Sequence, residues 1–588
     1  MGRFRVVKSF LFFILSSTVS SSAYDCDIAV LGGTASGVGA AITASREGKS
    51  VCFITRVKNL KEMGGMITSG LNLSDSGIPS CKENPDEDWE KCSLLGLEYG
   101  IIPDIKARDD KNKRVNIGGE RLVSGLFDEY RNLIYKYYKD KNTDSWYGLR
   151  HEPHIAGEKI EYLLSNANKN ITFYFSHIFD NITKKNNKEI ESITIRPIDD
   201  IGNLSNNQVT IKAKYFIDAT VTGDLASASG VTMTTGREGT QKYNEGFAGE
   251  LYWNPKTNKF LKETPKESNL DSKIQAYSYF LTVKKEKNNS DVIPVEKTKA
   301  WKDVFGKNYT NKTDKIWTDA VCNKDDFDGS PSFADSWGGK NGWSPGKEYY
   351  EINVHPKGSD LQEENYNYHS VTWLKRVEIE KKYKQRALCF IKYWQSNDEN
   401  ISLATTFYND GIPYRMYIRE SRRMIGHYVF KEQDSTPYDL LLLRTTKEFK
   451  LRDTNIANNI KYKRVINKNM EESIGFTDYP MDSHAVTKYK AYNFYDGKKD
   501  KEGIPLDKIK YENYNKGEGE FYLQFLTAPG VIPLGTIVPK EIDNLFVTTA
   551  VSASHVGYGT LRMEPIRMLM GQVASVLSSL AIQRKYYK

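Results

Sequence analysis

One stretch, DIAVLGGTASGVGAAITASREGKSVCFIT at residues 27–55, restricts the possible folds more than any other part of the chain. It contains a short apolar run, a segment with small and apolar residues at helical spacing that ends at Gly48, and a second apolar run. Short runs that are apolar throughout are typical of parallel strands covered on both faces, and a glycine commonly ends a helix. The stretch therefore predicts a β-α-β unit.

Three glycines lie at the predicted turn from the first strand to the helix: Gly32, Gly33 and Gly37. In such a turn the backbone amides and the helix N-terminus can hold a pyrophosphate. The spacing departs from the GxGxxG fingerprint because Thr34 occupies the central glycine position. Two interpretations therefore stay open for this unit, a dinucleotide site and a plain β-α-β core.

The end of the second predicted strand also departs from the fingerprint. A carboxylate usually stands there and binds the ribose hydroxyls, whereas this chain has Thr55 and Arg56. The residues of the unit alone do not decide between the two interpretations.

Length and composition predict a globular protein with two or more packed lobes. Of 588 residues, 39% are hydrophobic and 27% are charged, which is too rich in core-forming residues for a disordered chain. The formal net charge is +8, but no compact basic stripe is interleaved with aromatic residues, so no nucleic-acid partner is predicted. The eight histidines are scattered and no CxxC pair occurs, so no metal site is predicted either.

The first 23 residues have the composition of a secretory signal peptide. A basic start with Arg3, Arg5 and Lys8 precedes an apolar run over residues 10–19. That run is about half of the roughly 20 residues that a membrane-spanning helix needs, so a cleaved leader is favoured over an anchor. We expect no later segment to be long and apolar enough to span a membrane. The mature chain is predicted to be secreted or to reside in the lumen of the secretory pathway.

The cysteines and glycosylation signals fit such a route. Cys81 and Cys92 bracket a polar loop and are predicted to form a disulfide, whereas Cys52 lies in an apolar strand pattern and is predicted to be a free core thiol. The pairing of three further cysteines is open: Cys26, Cys322 and Cys389. Asn-x-Ser/Thr sequons, some of them chance matches in an Asn-rich chain, begin at Asn72, Asn170, Asn181, Asn203, Asn288, Asn308, Asn311 and Asn400.

The opening unit and the segment EMGGMITSGLNLSD at residues 62–75 resemble the start of FAD-dependent oxidoreductases related to the glutathione-reductase-like flavoproteins, in the subgroup that begins GGTxxGVxAA. Further blocks similar to that subgroup follow in order: EPHIAGEKI at 152–160, YFIDATVTGDLASASGV at 215–231, GREG with KYNEGFAGE within 236–250, YIRESRRMIGHYV at 417–429, SIGFTDYPMDSHAV at 473–486 and SASHVGYGTLRMEPIRMLMGQ at 552–572. The resemblance covers nearly the whole mature chain.

The resemblance implies an α/β fold. Its parts would be a Rossmann-like, glutathione-reductase-like FAD-binding domain, an inserted β-meander and a mixed α+β substrate lobe. The implied boundaries are a signal peptide at 1–23, an FAD-binding domain at 24–76, 150–235 and 511–588, an insertion with the disulfide loop at 77–149, and a substrate or cap lobe at 236–510.

The resemblance also implies FAD as the cofactor. Its implied binding residues are Gly32, Gly33, Thr34, Ser36, Gly37, Thr55, Arg56, Gly64, Gly65, Met66, Ala219, Thr220, Gly223, Asp224, Arg562 and Glu564. Asp224 would either approach the cofactor or cap the helix that follows it. A long helix with Pro565 in its first turn would point its positive end at the N1/C2=O edge of the flavin.

Hydride removal from a small organic substrate to flavin N5 is the reaction that these observations favour. Residues 245–510 contain no second glycine turn after an apolar strand, so no separate nicotinamide domain is expected. The acceptor that reoxidises the flavin would be oxygen or a quinone-like molecule. His555 is the first candidate for the base, with a structural hydrogen-bonding role as the alternative. His484 is the second candidate, with a turn-stabilising pair to Asp482 as the alternative; His154 lies in a similar block.

Two further points stay open at this stage. Arg419, Arg422 and Arg423 would bind an anion or, as we favour, form internal ion pairs with Glu420 or Glu564. The alternative function is a secreted flavin-binding or interaction protein that keeps the fold without turnover. A lyase or isomerase that uses flavin without net oxidation is a third possibility.

Overall fold

The computed structural model describes most of the chain outside its first 23 residues. The described residues are 24–74, 125–145, 148–249, 253–254, 259–260, 272–306, 316–317, 321–324, 327, 345, 349–352, 358–397, 400–408, 410–436, 472–488, 518–523, 527 and 530–586. The predicted leader and the predicted Cys81–Cys92 disulfide lie outside these residues.

The helices and strands alternate in the first part of the chain and again near its end. The α-helices are α1 (Ala35–Arg46), α2 (Leu126–Lys139), α3 (Pro153–Ala167), α4 (Asp224–Ala228), α5 (Thr240–Tyr243), α6 (Lys299–Phe305), α7 (Trp373–Gln395), α8 (His555–Leu561) and α9 (Glu564–Tyr586). The strands of the large sheet are β1 (Cys26–Leu31), β2 (Val51–Ile54), β3 (Ile171–Tyr174), β4 (His177–Asn186), β5 (Glu189–Pro197) and β6 (Val209–Asp218). The later strands are β7 (Met233–Thr234), β8 (Trp253–Asn254), β9 (Lys259–Phe260), β10 (Leu281–Lys285), β11 (Tyr349–Ile352), β12 (Ile401–Leu403), β13 (Arg423–Met424), β14 (Ser473–Thr477), β15 (Asp482–Ser483), β16 (Phe521–Tyr522), β17 (Gly530–Pro533) and β18 (Leu545–Val547).

The large sheet has the strand order β3-β2-β1-β6-β5-β4. Strands β1, β2, β3 and β6 are parallel, and β1 and β2 are buried along almost their whole length, as expected of parallel strands covered on both faces. Helix α1 connects β1 to β2, so the predicted β-α-β unit is confirmed. The prediction of an α/β fold with a Rossmann-like unit is confirmed with it.

One edge of β6 is shared by two different strands. Residues 209–212 pair with β5 in antiparallel fashion, and residues 216–218 pair with β18 in parallel. Together β4, β5 and β6 form an antiparallel meander that leads the chain from β3 back to the centre of the sheet. This arrangement places the end of β6 directly beside the end of β1 and the start of α1.

Helix α9 packs directly against helix α1. The contact is close because both helices present glycine: a Cβ on Gly39 would meet Met568, and a Cβ on Gly571 would meet the backbone of Ser36. Ser575 Oγ also donates to Ala40 O at 2.7 Å. The segment Glu564–Arg584 is long and apolar enough to cross a membrane by length and composition, so our expectation that no later segment meets this criterion is wrong. Most of that segment is buried inside the protein, as in the core helix of a globular fold.

A second hydrophobic core lies in the middle part of the chain, in a region that we call the second lobe. Strands β11, β10 and β12 form a small antiparallel sheet, and α7 packs with α6 and β12 around buried residues such as Trp301, Tyr383 and Trp394. Cys389 on α7 is bonded to Cys322, with their Cα atoms 5.7 Å apart. The lobe thus has its own core and its own covalent link.

The prediction of a free thiol at Cys52 is wrong. Cys52 on β2 is bonded to Cys26 on the neighbouring strand β1, with a Cα–Cα distance of 5.9 Å. The apolar run around Cys52 predicts a buried strand but not which cysteine the adjacent strand brings beside it. Both partners are buried in the core beneath the sheet.

Candidate functional site

The turn between β1 and α1 requires glycine at two of the three fingerprint positions. Gly32 has φ of +109°, a conformation that L side chains rarely adopt. A Cβ on Gly37 would overlap the carbonyl oxygen of Gly32. Position 34 is different, because its φ of −79° and ψ of 174° suit any residue. The threonine there is therefore compatible with the fingerprint conformation.

Thr34 has a local role of its own. Its Oγ1 accepts from Gly37 N at 3.2 Å and thereby caps α1, and it donates to Ala219 O at 2.9 Å at the end of β6. Ser36 Oγ donates to Thr548 Oγ1 at 2.6 Å just after β18. The first turn of α1 contains no acidic residue, so its positive end has no carboxylate of its own helix to neutralise it.

The loop at residues 64–68, which we call the GGM loop after its first three residues, packs onto the turn between β1 and α1. Gly64 N donates to Gly33 O at 3.0 Å, and both Gly64 and Gly65 have positive φ. A Cβ on Gly65 would lie 3.3 Å from Ala35 N and 2.9 Å from Glu564 Oε2, so the loop contacts the start of α1 and the start of α9 together. We name Gly32–Gly37 with Gly64 and Gly65 the glycine cradle.

Met66 follows the glycine cradle and packs against residues of the second lobe. It is buried in a small apolar cluster with Leu71, Phe280 and Tyr417. The structure therefore brings the predicted residues of the GGM loop next to both the turn and the lobe.

The two residues at the end of β2 make different contacts. Thr55 is buried against Gly33, where a Cβ would meet its hydroxyl. Arg56 forms a two-pronged ion pair with Glu380 of α7, with N–O distances of 2.6 and 3.1 Å. A cation that Glu380 neutralises thus stands at position 56, where many dinucleotide sites have a carboxylate.

Asp224 lies in the first turn of α4, but Gly223 occupies the N-cap position. The carboxylate of Asp218, at the end of β6, caps the helix instead, because it accepts from Ala226 N at 2.9 Å. The Asp224 carboxylate pairs with Arg376 of α7 at 2.9 Å and with Arg422 at 2.6 Å. Of the two open roles, capping is not observed, and Asp224 links the segment after β6 to Arg376 of α7 and to Arg422.

His555 is the first residue of the short helix α8 and is 1% exposed. Its Nδ1 lies 2.8 Å from Glu420 Oε2, and its Nε2 lies 3.1 Å from Ser483 Oγ. Its backbone N donates to Glu238 Oε2 at 2.8 Å. Because an ionised carboxylate only accepts, a neutral His555 carries its proton on Nδ1 toward Glu420, and Nε2 is then the acceptor that faces the Ser483 hydroxyl, which also lies 3.3 Å from the His484 carbonyl oxygen. The Ser554 hydroxyl caps this helix by accepting from Gly557 N.

His484 forms a second histidine–carboxylate pair. Its Nδ1 lies 2.7 Å from Asp360 Oδ2, and Arg419 pairs with the same carboxylate at 2.9 Å. The residue predicted as its turn partner, Asp482, is farther away, at 3.9 Å from Nε2.

The two histidine pairs are linked through Gln275, which donates from Nε2 to Glu420 Oε2 at 2.9 Å and accepts the His484 amide at 3.2 Å. Arg423 pairs with both Glu420 and Glu238. We name the following set of buried polar residues the charged cluster: Glu238, Gln275, Asp360, Arg419, Glu420, Arg423, Asp482, Ser483, His484, His555 and Arg562.

Arg562 and Glu564 lie at the entry of α9 and contact different parts of the site. Arg562 binds the Tyr417 hydroxyl and the Asp482 carboxylate, which joins the helix entry to the charged cluster. Glu564 pairs with Arg567 at 2.9 Å, and burial raises the pKa of its carboxyl despite that arginine.

The favoured interpretation of the three arginines as internal ion-pair partners agrees with the structure. Arg423 pairs with Glu420 as expected, whereas Arg422 pairs with Asp224 and Arg419 with Asp360. His154 lies elsewhere, packed on Phe407 with ring centroids 4.6 Å apart.

Sequence reasoning missed several members of the charged cluster. Asp360, Gln275 and Glu238 come from segments 100 residues or more away from the histidines that they contact or approach, and no local pattern marks them. Glu420 and Ser483 stood inside blocks that the resemblance had singled out, beside Arg419 and His484. Their position in those blocks was the one available signal.

Comparison with known proteins adds a family. A family model described as FAD dependent oxidoreductase matches residues 27–587, which is nearly the whole chain. No curated protein matches this sequence. Similar solved structures include THI4 of Thermovibrio ammonificans, with 16% identity and a TM-score of 0.21 over 36% of this chain and 66% of that one. Another is a 3-ketosteroid-Δ4-(5α)-dehydrogenase of Rhodococcus jostii RHA1, with 12% identity and a TM-score of 0.21 over 34% and 47%. The match spans less than two thirds of either structure.

The glycine cradle fits FAD on geometric grounds. Its turn is formed by backbone at Gly32, Gly33 and Gly37, where a side chain would meet neighbouring atoms, and it opens onto the uncompensated positive end of α1. Such a site suits a pyrophosphate. With a matching family over residues 27–587, the chain belongs to the FAD-dependent oxidoreductase family, and FAD is its cofactor.

Proposed function

We propose that this enzyme oxidises a small organic substrate that carries an alcohol or amine, with His555 as the base. When bound, FAD supplies a hydride acceptor at N5. Oxidation then removes a hydride from the substrate carbon and a proton from the attached O–H or N–H group, and the protein must take that proton. The product is a carbonyl compound or an imine.

The observation that carries this proposal is the buried Glu420–His555–Ser483 arrangement. Glu420 fixes the His555 tautomer so that Nε2 is the basic nitrogen, and a negative carboxylate stabilises the imidazolium that forms when Nε2 accepts a proton. Ser483 Oγ, 3.1 Å from Nε2, is positioned to pass the proton from the substrate. His484 with Asp360 is the second such pair and our second candidate for this role.

The position of the charged cluster supports the assignment. Arg562 joins the cluster at the residue that ends α8, two positions before α9 begins. Tyr417, which contacts Arg562, packs with Met66 of the GGM loop. The proton-accepting pair therefore lies in the same part of the protein as the glycine cradle and the lobe that we assign to the substrate.

The test is anaerobic reduction of the purified enzyme by a panel of alcohols, amines and hydroxy acids. Reduction is measured as the loss of visible flavin absorption. We expect at least one class to bleach the flavin, with a slower rate when the transferred hydrogen is deuterium. In His555→Gln we expect the flavin to stay bound and its reduction to slow by about 100-fold or more, as for loss of a general base.

Two outcomes would contradict the proposal. The first is reduction of the flavin by a nicotinamide nucleotide but by no member of the panel. The second is a His555→Gln enzyme that is reduced at the wild-type rate while His484→Gln is slowed, which would transfer the role of base to His484. Oxygen or a quinone-like molecule is proposed as the acceptor, and the rate of reoxidation by each separates an oxidase from a dehydrogenase.

We also propose that the protein is secreted or resides in the lumen of the secretory pathway. The leader-like composition of residues 1–23 and two disulfides support this location. The sequon asparagines at 170, 181, 203 and 288 are exposed, so glycans could reach them, whereas Asn72 is fully buried. Removal of N-linked glycans from protein made in eukaryotic cells should lower its apparent mass; an unchanged mass in a retained, intracellular product would contradict the proposal.

The finer fold assignment belongs here too. We propose a glutathione-reductase-like arrangement with the FAD-binding domain at 24–76, 150–235 and 511–588, an insertion at 77–149 and a substrate lobe at 236–510. The strand order β3-β2-β1-β6 with its meander, and the separate core of the lobe, support these boundaries.

A further inference from the structure

Arg415 reaches from the substrate lobe to the glycine cradle. Its Nη2 lies 3.3 Å from Thr55 Oγ1 and 3.2 Å from the point where a Cβ on Gly33 would stand. It is therefore adjacent to the turn in which FAD phosphates are expected, although it comes from a segment more than 350 residues later in the chain.

In the part of the chain that the structure describes, Arg415 differs from the neighbouring arginines in its lack of a directly paired carboxylate. Arg56 pairs with Glu380, and Arg376 and Arg422 pair with Asp224. Within the described residues, Arg415 has no carboxylate at ion-pair distance, and its Nε is buried without a hydrogen-bond partner. Among the described residues, the guanidinium of Arg415 donates a hydrogen bond to Thr55 Oγ1 alone.

Arg415 is a cation at neutral pH in spite of these surroundings. Burial, and then the positive charge of Arg56, lower the pKa of its guanidinium to about 10. The carboxylates of Glu62 and Glu380 act on this cation only from beyond ion-pair distance, and a partly desolvated cation without a directly paired carboxylate is unfavourable. An anion bound at the glycine cradle would remove that cost.

We propose that Arg415 binds the pyrophosphate of FAD, opposite the N-terminus of α1. The pyrophosphate brings two negative charges, and the planar guanidinium suits two-pronged binding of phosphate oxygens. The helix end supplies backbone amides from one side and Arg415 a full charge from the other. The inference rests on FAD as the cofactor and not on the reaction proposed above.

This assignment has a structural consequence. Arg415 lies between Tyr414 and Met416, and Met416 is part of the core of the substrate lobe. FAD held by Arg415 would therefore bridge the cradle and the lobe, so that cofactor binding helps to seat the lobe.

The test compares two ligands that share the flavin ring, of which only FAD carries the pyrophosphate and the adenosine joined to it. The full-length chain, freed of FAD and then titrated with FAD or riboflavin, reports each affinity through quenching of flavin fluorescence. In Arg415→Met we expect FAD binding to weaken by about 10-fold to 100-fold, the range for loss of a hydrogen-bonded charge, with riboflavin binding unchanged. ADP should compete with FAD in the wild type and much more weakly in Arg415→Met.

Two further variants make the result interpretable. Lys58→Met removes a cation that is exposed and paired with Asp200, and it should bind FAD as the wild type does. Arg415→Lys keeps the charge but not the two-pronged geometry, and it should lose less FAD affinity than Arg415→Met; it also serves if Arg415→Met does not fold. Wild-type FAD affinity in the Arg415 variants, or an equal loss for FAD and riboflavin, would overturn the proposal.

Discussion

The glycine cradle and the charged cluster are built in opposite ways. The cradle is mostly backbone; its turn is closed by a local contact between Gly32 and Gly37, and the chain approaches it closely at Ala219 and Glu564. The cluster is made of side chains, and its pairs join residues far apart in sequence, such as Glu420 with His555 across 135 positions. Backbone geometry tolerates little change but costs no buried charge, whereas the cluster depends on every charge keeping its partner.

The largest expected effect is in the cradle. Gly37→Ala places a Cβ on the carbonyl oxygen of Gly32, so the turn cannot keep its conformation and the protein should lose bound FAD. The measurement is flavin absorption per protein after purification. Gly48→Ala is the matched control, since its Cβ would meet nothing within 4 Å and only its φ of +71° carries a cost, of about 1 kcal/mol. A Gly37→Ala protein with a full complement of flavin would contradict the close approach.

The next effect is in the cluster. Arg423→Met removes the partner of both Glu420 and Glu238, and we expect the free energy of unfolding to fall by roughly 3–5 kcal/mol, as for a broken buried ion pair. Denaturant titration measures it. Lys299→Met breaks an exposed ion pair with Asp303 and should cost far less, because solvent screens that pair. Equal effects of the two variants would show that burial of the cluster does not set its energetics.

These two predictions also separate what the sequence could reveal from what it could not. The turn at Gly32–Gly37 follows from local spacing, and the backbone conformation at Thr34 needs no glycine. Cys52 was assigned wrongly because its partner is set by which strand lies next to β2.

The charged cluster could be predicted only in part. His555 and His484 were singled out, but their carboxylate partners Glu420 and Asp360 depend on how distant segments meet. Arg415 was not singled out at all, since a lone arginine between a tyrosine and a methionine has no pattern that marks a site. Which side chains pair over long sequence distances depends on how the folded chain packs. Local patterns in a single sequence do not show it.

The pH dependence of stability should differ between the two regions, beginning with Glu245, which lies beside the charged cluster at Ser554. Burial and the nearby charge of Glu432 raise the pKa of Glu245, which accepts from Ser554 Oγ, to about 8. Between its ordinary value of 4.5 and that value, the unfolded chain loses a proton that the native protein keeps, so stability falls as pH rises. Relative to Glu245→Gln, the wild type should lose roughly 3 kcal/mol between pH 5 and pH 8. Denaturant titration measures the free energy of unfolding of both proteins. The same difference between wild type and Glu245→Gln at pH 5 and at pH 8 would contradict this assignment.

The smallest effect, with the opposite sign, is expected beside the cradle. His151 Nε2 lies 3.2 Å from Ile67 O in the GGM loop, and burial lowers the pKa of this histidine to about 4. As pH falls below its ordinary value of 6.5, the unfolded chain takes up a proton that the native protein does not, so stability falls with acid. Relative to His151→Gln, the wild type should lose roughly 2 kcal/mol between pH 7.5 and pH 5. The same denaturant titrations measure it, and a wild type that gains stability in acid would contradict it.

The shared edge of β6 has a consequence for biosynthesis. The parallel half of that edge stays open until β18 has been made, and the hydroxyl pair between Ser36 and Thr548 joins residues 512 positions apart. Since α9 covers α1 only when this last part of the chain arrives, the N-terminal β-α-β unit leaves the ribosome long before its covering layer exists. We therefore expect a nascent chain that exposes apolar surface throughout translation, takes up FAD only after release, and depends on chaperones to reach that point.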